Sequence, residues 1–347
     1  MASPKILVAM SGGVDSSVAA CLLQRDGCTV LGATMRLNER YTKSALPDAQ
    51  AVCRQLQIEH LVVDIADEFD RRIVRPFLAD YFAGRTPNPC IRCNKLFKFG
   101  RLLEVAREHG CDAVATGHYA RLVETDGRRR LLRGADRRKE QSYFLFLLAQ
   151  EQMSRVLFPL GDMTKQQVRA IAEERRLVVA QRPESQEICF VPGDDLPRFF
   201  AAEANAQPQP GEIVDESGRL RGRHRGIHLY TVGQRRGLGV AAAEPLYVLA
   251  IDAANDRLIV GPKTSLARTR GRVRELHWCA GRAPAASPVT AQVQIRYRHG
   301  GAAADIHVSG KEAELHFHEP IYGWTPGQAA VFYRDDEVIG GGWIAKD

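Results

Sequence analysis

Hydrophobic and polar positions follow two alternating periods in the first third of the chain. Short apolar runs predict four buried strands, at residues 5–10, 29–35, 60–65 and 113–116. Between them, apolar residues recur at helical spacing and predict four helices, at residues 15–25, 48–57, 68–82 and 93–109. Because strands and helices alternate in this order, we expect an α/β domain built on a parallel sheet with helices on both faces.

The pattern changes after about residue 200. Two helix-rich stretches, residues 141–150 and 165–176, complete the first domain, and the run QPQPG at residues 207–211 predicts a linker. Short strand-like runs then follow, at residues 246–251, 257–260, 289–297, 305–308, 313–317 and 329–333. The later runs alternate apolar and polar residues, which predicts a small antiparallel β-barrel at the C-terminal end. We therefore expect three domains, at residues 1–204, 205–268 and 269–347.

Composition narrows the class of protein. Hydrophobic residues make up 45% and charged residues 26% of the 347 residues, as in a soluble globular protein. No apolar run is long enough to span a bilayer or to form a signal peptide, so we expect a cytoplasmic protein without a membrane partner. Eight cysteines in such a chain predict free thiols rather than disulfides.

The charge pattern is informative but leaves two interpretations open. The formal net charge is +7. Arginines cluster in several short segments, chiefly residues 128–138, 219–225, 268–274 and 296–298. Such clusters form either a solvated basic surface or a footprint for nucleic acid, where arginine binds phosphate through its planar fork. Charge alone does not decide between the two.

A glycine-rich segment follows the first strand and opens the first helix. It reads AMSGGVDSS, residues 9–17. Gly12 and Gly13 allow the backbone to approach a ligand closely, and the positive end of the helix suits pyrophosphate. Asp15 would repel phosphate, so it is expected to hold Mg²⁺ or to hold the loop. The segment lacks the Gly-Lys-Ser/Thr ending of a Walker A loop, so hydrolysis of the γ-phosphate is not the expected chemistry.

Cysteines form the second candidate site. Cys90 and Cys93 stand in C-x-x-C spacing after two prolines, and a helix is predicted to begin at Cys93. A thiol at a helix N-terminus near Arg92 and Lys95 is expected to have a depressed pKa and to act as a nucleophile. Cys189 is either a packing residue or a partner that converges on Cys93. The C-x-x-C pattern alone also fits zinc, redox or iron–sulfur ligation, although no second pair completes a Cys₄ zinc site.

Taken together, these motifs resemble the bacterial tRNA-specific 2-thiouridylases, a family of PP-loop ATP pyrophosphatases with an adenine nucleotide alpha hydrolase-like fold. The resemblance runs through most of the chain and includes several further segments. They are GRTPNPC-IRCNK, ATGHYARL (115–122), KEQSYFL (139–145), EICFV, YTVGQRRGLG (230–239) and TPGQAAVFY (325–333).

This resemblance implies a reaction. ATP adenylates the O2 atom of a wobble uridine in the anticodon stem-loop of tRNA, with Mg²⁺ assisting, and AMP and pyrophosphate are released. A persulfide on Cys189 delivers the sulfur, and Cys93 closes a disulfide with Cys189. A persulfide-carrying relay protein or a cysteine desulfurase would load Cys189.

The resemblance also implies binding residues, carried over position by position. The ATP contacts fall on Ala9, Met10, Ser11, Gly12, Gly13, Val14, Asp15, Ser16, Met35 and Gly117. The contacts to the target base fall on Asn88, Pro89 and Cys90. The other contacts to tRNA fall on His118, Glu140, Gln141, Ser142, Arg296, Tyr297 and Gln328.

Three alternatives stay open at this point. The chain could be an amide-forming PP-loop ligase, although it shows no amidotransferase domain, or an RNA-binding module with a vestigial nucleotide fold. The third alternative arises because this chain has Cys90 where some family members carry Asp. With this additional thiol, Cys90, Cys93 and Cys189 could ligate a [4Fe–4S] cluster, although we favour the persulfide form.

Overall fold

The computed structural model describes residues 3–38, 45–183, 188–191, 193, 195–203 and 209–346. Within these ranges, no helix combines the length and apolar character that crossing a bilayer requires. The predicted linker at residues 207–211 lies partly outside the described residues.

The first domain is built on a five-stranded parallel sheet, as the alternating pattern predicts. Its spatial order is β3-β2-β1-β4-β7. The strands are β1 (Lys5–Ala9), β2 (Thr29–Arg36), β3 (Glu59–Asp64), β4 (Ala113–Ala115) and β7 (Val156–Leu157). Leu7 and Val8 are fully buried because helices cover both faces of the sheet.

Helices surround this sheet. They are α1 (Val14–Arg25), α2 (Ala45–Gln55), α3 (Ala66–Phe69), α4 (Arg75–Phe82), α5 (Pro89–Cys93), α6 (Leu102–Glu108), α7 (Gln150–Met153), α8 (Lys165–Glu174) and α9 (Leu196–Glu203). A π-helical segment, Asp70–Val74, joins α3 to α4, and a second one, Asn94–Arg101, joins α5 to α6. The two long helices predicted here are therefore each interrupted by a wider turn.

The prediction of a helix-rich stretch at residues 141–150 is wrong for most of its length. The chain instead forms a 3₁₀ turn, Ser142–Leu145, before α7 begins. Tyr143, Leu145 and Phe146 are all essentially buried. The chain thus buries these side chains in a tighter turn than the predicted α-helix.

A hairpin that the sequence pattern did not reveal extends from the first domain. It consists of β5 (Ala120–Thr125) and β6 (Arg128–Arg133), and β6 pairs with the last strand of the chain through Leu132 and Glu337. Its strands are polar on most positions, so no alternating apolar pattern marked them. The hairpin extends the C-terminal sheet with residues of the first domain.

The two remaining units are rich in β-strands, as predicted. The central sheet has the order β10-β11-β8-β9. Its strands are β8 (Gly211–Asp215), β9 (Leu220–His224), β10 (Tyr247–Asp252) and β11 (Arg257–Gly261). The C-terminal strands are β12 (Ala267–Trp278), β13 (Val289–Gln294), β14 (Ala302–Ser309), β15 (Glu312–Tyr322), β16 (Ala329–Arg334) and β17 (Glu337–Ile344).

The six C-terminal strands close into the predicted antiparallel barrel. Their order is β12-β15-β14-β13-β16-β17, and β12 pairs back onto β17. On β12, Gly271 and Val273 face the interior, whereas the arginines at alternate positions are exposed. Trp324 fills the space over Gly271, where a Cβ would lie 2.4 Å from its ring.

The barrel and the first domain share apolar packing. Tyr143 and Phe146 of the first domain belong to the same buried cluster as Ala329, Val331 and Trp343 of the barrel. The hydroxyl of Tyr143 donates to the Ala329 carbonyl oxygen at 2.9 Å. This packing places the barrel against segments that follow Cys90 and Cys93 in the chain.

Candidate functional site

The glycine-rich loop lies at the point where the strand order reverses. The chain continues from β1 to β2 and β3 on one side, whereas β4 lies on the other side of β1. The carboxyl ends of β1 and β4 therefore border a crevice, where open α/β sheets bind their ligands. Residues 10–13 follow β1 into this crevice, and Met35 lies near the same end of the neighbouring β2.

Gly117 follows β4 and packs directly on the loop. A Cβ at this position would lie 2.8 Å from the carbonyl carbon of Asp15 and 2.9 Å from the nitrogen of Ser16. Only a glycine allows this approach without a shift of the loop. The two glycine-containing segments that the sequence analysis singled out separately therefore form one surface.

The loop holds its shape through short internal contacts. The Ser11 backbone N–H donates to the Ser16 hydroxyl at 3.2 Å, and the two serine hydroxyls lie 3.2 Å apart. Gly12 has a φ of +70°, and a Cβ there would lie 2.5 Å from the Ala45 carbonyl oxygen. Gly13 caps α1 without any side-chain hydrogen bond. The helix therefore presents free N–H groups where the loop ends, as an anion site requires.

Two cations that the sequence analysis missed hold this loop. Lys165, at the start of α8, pairs with the Asp15 carboxylate at 2.6 Å, and the Tyr119 hydroxyl donates to the same oxygen at 2.8 Å. Arg182 donates to the Gly12 carbonyl oxygen at 3.1 Å and also forms an ion pair with Asp48. No local motif marks either residue, since each lies more than 140 residues from the loop. Of the two expected roles of Asp15, holding the loop is directly visible.

The cysteine pair lies on one face of a short helix. Asn88 precedes α5, which begins at Pro89 rather than at Cys93. The three-residue spacing of Cys90 and Cys93 points both thiols in a similar direction. The thiol of Cys189 approaches from another segment, close enough to interact electrostatically with both. The structure thus brings together the three thiols that the sequence analysis considered.

Cys93 does not have the depressed pKa that its sequence position predicted. It is 8% exposed, and this burial raises its pKa to about 11, while the cation of Lys98 lowers it and the thiol of Cys90 raises it further. The prediction was wrong because α5 begins four residues earlier, so Cys93 lies inside the helix and under the protein surface. Burial also raises the pKa of Cys90, again against the opposing effect of Lys98.

Cys189 differs from Cys93 in its accessibility. The residue is exposed at the protein surface, although many protein atoms surround its thiol. This desolvation raises the pKa of Cys189, and the thiols of Cys93 and Cys90 raise it further, while Lys98 opposes them. A residue that lies at the surface, with its thiol near two others, suits transfer between a donor in solution and an enclosed site.

Lys98 is the cation common to this cluster. Its charge acts on all three thiols and also on His118. The reason is the π-helical segment Asn94–Arg101, in which hydrogen bonds span five residues. Lys98, five residues after Cys93, therefore returns to the face of the cysteines. Sequence analysis assigned this electrostatic role to Arg92 and Lys95, but Arg92 instead stacks over the ring of Trp343 at 5.1 Å.

His118 connects the two halves of the site. It follows Gly117 directly, is 7% exposed and lies between the rings of Phe99 and Phe158. Its Nδ1 is 2.7 Å from the Thr116 hydroxyl. Burial, and then the charge of Lys98, lower its pKa well below the usual value, so its imidazole is neutral at pH 7. Of two neighbouring residues, Gly117 thus contacts the glycine-rich loop and His118 feels the same cation as the three thiols.

The residues expected to contact tRNA are distributed over several elements. Glu140 is 6% exposed and pairs with Arg133 at 3.2 Å, and Ser142 is fully buried with its hydroxyl 3.1 Å from that of Tyr333. Gln141 is half-buried, and its side-chain oxygen accepts from the Tyr119 N–H at 3.0 Å. The side chains of Glu140 and Ser142 therefore organise this segment from within, and Gln141 lies nearer the surface.

The remaining expected tRNA contacts lie at the barrel. Arg296 is exposed, and Tyr297 is half-buried with its ring 4.6 Å from that of Phe144. Gln328 donates from Nε2 to the Thr86 carbonyl oxygen at 2.9 Å. Asn88 lies in the loop that Gln328 contacts, and its side-chain oxygen is buried without a hydrogen-bond partner. The barrel thus borders the loop that leads to Cys90.

Among the described residues, no group of three or more His, Cys, Asp and Glu side chains is arranged to hold a metal ion. The three thiols, in particular, do not form a site for a single ion. Asp15 offers the hard carboxylate oxygen that Mg²⁺ prefers, next to the helix N-terminus.

Comparison with known proteins gives consistent matches along the chain. Residues 4–193 match the family described as tRNA methyl transferase HUP domain. Residues 199–262 match its PRC-barrel domain and residues 268–344 an aminomethyltransferase beta-barrel domain.

Three similar relatives are proteins called tRNA-specific 2-thiouridylase. The one from Syntrophotalea carbinolica is 50% identical, over 98% of each chain. The one from Geobacter metallireducens is 48% identical, over 99% of this chain and 97% of its own. The one from Pelobacter propionicus is 46% identical, over 98% of this chain and 97% of its own. With this identity along nearly the whole length, the chain belongs to the tRNA-specific 2-thiouridylase family.

Proposed function

We propose that this protein is a tRNA-uridine 2-sulfurtransferase, which uses ATP to thiolate the wobble uridine of tRNA. One observation carries the proposal. Gly117 touches the glycine-rich loop, and its neighbour His118 lies within the field of Lys98 at the thiol cluster. A nucleotide held by the loop and a uracil beside the thiols would therefore share one crevice. An amide-forming ligase would have no use for the paired thiols.

The nucleotide would lie over residues 9–16, Met35 and Gly117. Free N–H groups at the start of α1 would bind the phosphates, since anions are favoured at this end of a helix. Mg²⁺, when bound, would neutralise charge on the pyrophosphate, and Asp15 is the residue placed to hold it. Lys165 and Tyr119 would keep the Asp15 carboxylate in position.

The uracil would lie against Asn88, Pro89 and Cys90. Its O2 would attack the α-phosphorus of ATP, the bond to the β-phosphate would break, and pyrophosphate would leave. The C2 atom then carries AMP as a leaving group. His118, which is neutral and buried, would shape the pocket without adding a charge.

Sulfur transfer would follow in two steps. The outer sulfur of a Cys189 persulfide attacks C2, AMP leaves, and the uracil is joined to Cys189 through two sulfurs. The thiolate of Cys93 then attacks the sulfur of Cys189, and 2-thiouridine is released as a Cys93–Cys189 disulfide forms. An external thiol reduces this disulfide, and a persulfide-carrying relay protein or a cysteine desulfurase reloads Cys189, whose exposure permits access.

The tRNA would be bound through its anticodon stem-loop. Arg296 and Tyr297 lie on the barrel next to the segment of residues 140–142, and the arginines on β12 are exposed. The wobble base must leave its stack before its C2 atom can react in the crevice, as other enzymes that modify bases require.

A reconstitution with purified components tests the proposal. The protein is incubated with a tRNA transcript, ATP, Mg²⁺ and a persulfide donor, and the nucleosides are analysed by mass spectrometry. We expect 2-thiouridine at the wobble position, with AMP and pyrophosphate formed in step and stimulated by tRNA. Formation of ADP and phosphate, or an unmodified wobble uridine, would refute the assignment.

A further inference from the structure

Three parts of the protein meet at one residue of the base-contacting loop. The Thr86 backbone N–H donates to the Pro326 carbonyl oxygen at 2.9 Å, and its carbonyl oxygen accepts from Gln328 Nε2 at 2.9 Å. Its hydroxyl donates to that of Thr231 in the central unit at 3.2 Å. The backbone of Thr86 is thus held by the C-terminal barrel and its side chain by the central unit.

Backbone hydrogen bonds anchor the barrel side of this junction. The Gly327 N–H donates to the Ile344 carbonyl oxygen at 3.1 Å, and the Ile344 N–H donates to the backbone carbonyl oxygen of Gln328 at 2.8 Å. The turn that contains Gly327 and Gln328 is therefore fixed to β17. Gly327 has a φ of +93°, and a Cβ there would lie 3.1 Å from both the nitrogen and the oxygen of Thr86. The backbone of the loop therefore rests on Gly327 with no room for a side chain.

The other side of the loop has a second close approach. A Cβ on Gly84 would lie 2.8 Å from Ile251 of the central unit. Arg85 is held by Asp80 through two bonds, at 2.6 and 2.8 Å. Two residues after Thr86, Asn88 begins the segment expected to contact the target base. The position of that segment is therefore set by the two β-rich units and not by the first domain alone.

We infer that Thr86 and Gly327 are positioning residues, which make placement of the target uridine depend on the contact between the barrel and this loop. The inference rests on the proposed function. Because the barrel also carries the expected tRNA contacts Arg296 and Tyr297, RNA held by the barrel would fix the pocket through this junction. A displaced junction would slow chemistry on the base while leaving RNA affinity nearly unchanged.

Gly327→Ala is the sharpest perturbation, because glycine has no side chain with which to contact RNA directly. The added methyl must move the loop by a few tenths of an ångström, and a misplacement of 1 Å can cost about 10²-fold in rate. We expect the single-turnover rate of thiolation to fall about three- to tenfold. The Kd for tRNA should change less than about twofold, and pyrophosphate release without tRNA should not change.

Gly281→Ala is the matched control. Gly281 also lies in the C-terminal unit with a positive φ, +78°, but a Cβ there would meet nothing within 4 Å. Both substitutions introduce similar backbone strain, and only one of them pushes on Thr86. If the two variants thiolate at the same rate, or if Gly327→Ala weakens tRNA binding as much as it slows the reaction, the inference is overturned.

A second pair of variants guards against misfolding of Gly327→Ala. Thr86→Val and Thr231→Val remove the bond between the two hydroxyls without removing the backbone clamp. We expect each to slow thiolation, with the double variant no slower than the slower single one, because both break the same contact. Strictly additive effects, or no effect, would overturn the inference. Failure of the proposed function is distinguishable, since the wild-type protein itself would then form no 2-thiouridine.

Discussion

The reactivity of Cys93 provides a quantitative test of how the site controls its thiols. Burial raises the pKa of Cys93 from the ordinary value of 9.0 to about 11. This corresponds to a free-energy cost of about 3 kcal/mol for forming the thiolate. At pH 7.5, on the order of one molecule in a thousand to one in ten thousand carries the thiolate. Because the pKa is raised, the thiolate population grows about tenfold per pH unit from pH 7 to about pH 10.

Lys98→Met removes a cation that opposes this shift. An opposite charge within reach typically lowers the pKa of an acid by about one unit or more, so its loss should raise the pKa of Cys93 by a similar amount. We expect alkylation of Cys93 by iodoacetamide at pH 8 to slow about tenfold, with the pH profile displaced upward. Trypsin cleaves after Arg92, so mass spectrometry can follow Cys93 separately from Cys90.

Lys95→Met is the matched control for this experiment. Lys95 is nearer to Cys93 in sequence, but its charge acts on His277 and is not among the charges that act on the thiols. We expect Lys95→Met to alkylate like the wild-type protein. Equal rates for Lys98→Met and the wild type would refute the electrostatic role of Lys98. Equal slowing by both lysine variants would refute the inference that the π-helical segment brings Lys98, and not Lys95, to the face of the cysteines.

Three further predictions follow from the same structure. Cys93→Ser and Cys189→Ser should each abolish thiolation in the mass-spectrometric assay while leaving ATP and tRNA affinity nearly intact; Cys90→Ser should retain substantial activity, and an anaerobic preparation whose activity is lost on iron chelation would contradict this. Gly12→Ala should weaken ATP binding at least tenfold by calorimetry, because a Cβ there would lie 2.5 Å from a carbonyl oxygen; unchanged affinity would show that the loop yields. Binding of tRNA should weaken with salt at a log–log slope of about −0.7 to −0.9 per phosphate contact, and Arg296→Ala should flatten that slope by about one contact; an affinity independent of salt would contradict an arginine–phosphate interface.

Much of the first domain followed from local sequence. The parallel sheet and the loop between β1 and α1 were predicted because apolar period and glycine placement act over a few residues. The strands β5 and β6 could not be predicted in this way. Most residues of β6 are polar, and its place is set by pairing with β17, some 200 residues away, while β5 pairs with β6. Long-range pairing leaves little trace in the local pattern.

The candidate site shows the same division. The amino-acid sequence was sufficient to select the candidate residues: the loop of residues 9–17, the C-x-x-C pair and Cys189. How these residues behave depends on the folded structure. Cys93 was expected to be acidic from its neighbours along the chain, but its pKa depends on burial and on Lys98. Lys165 and Arg182 reach the loop from more than 140 residues away, and Thr86 is fixed by two other units. Electrostatics and packing depend on distance in space, and the folded chain sets that distance.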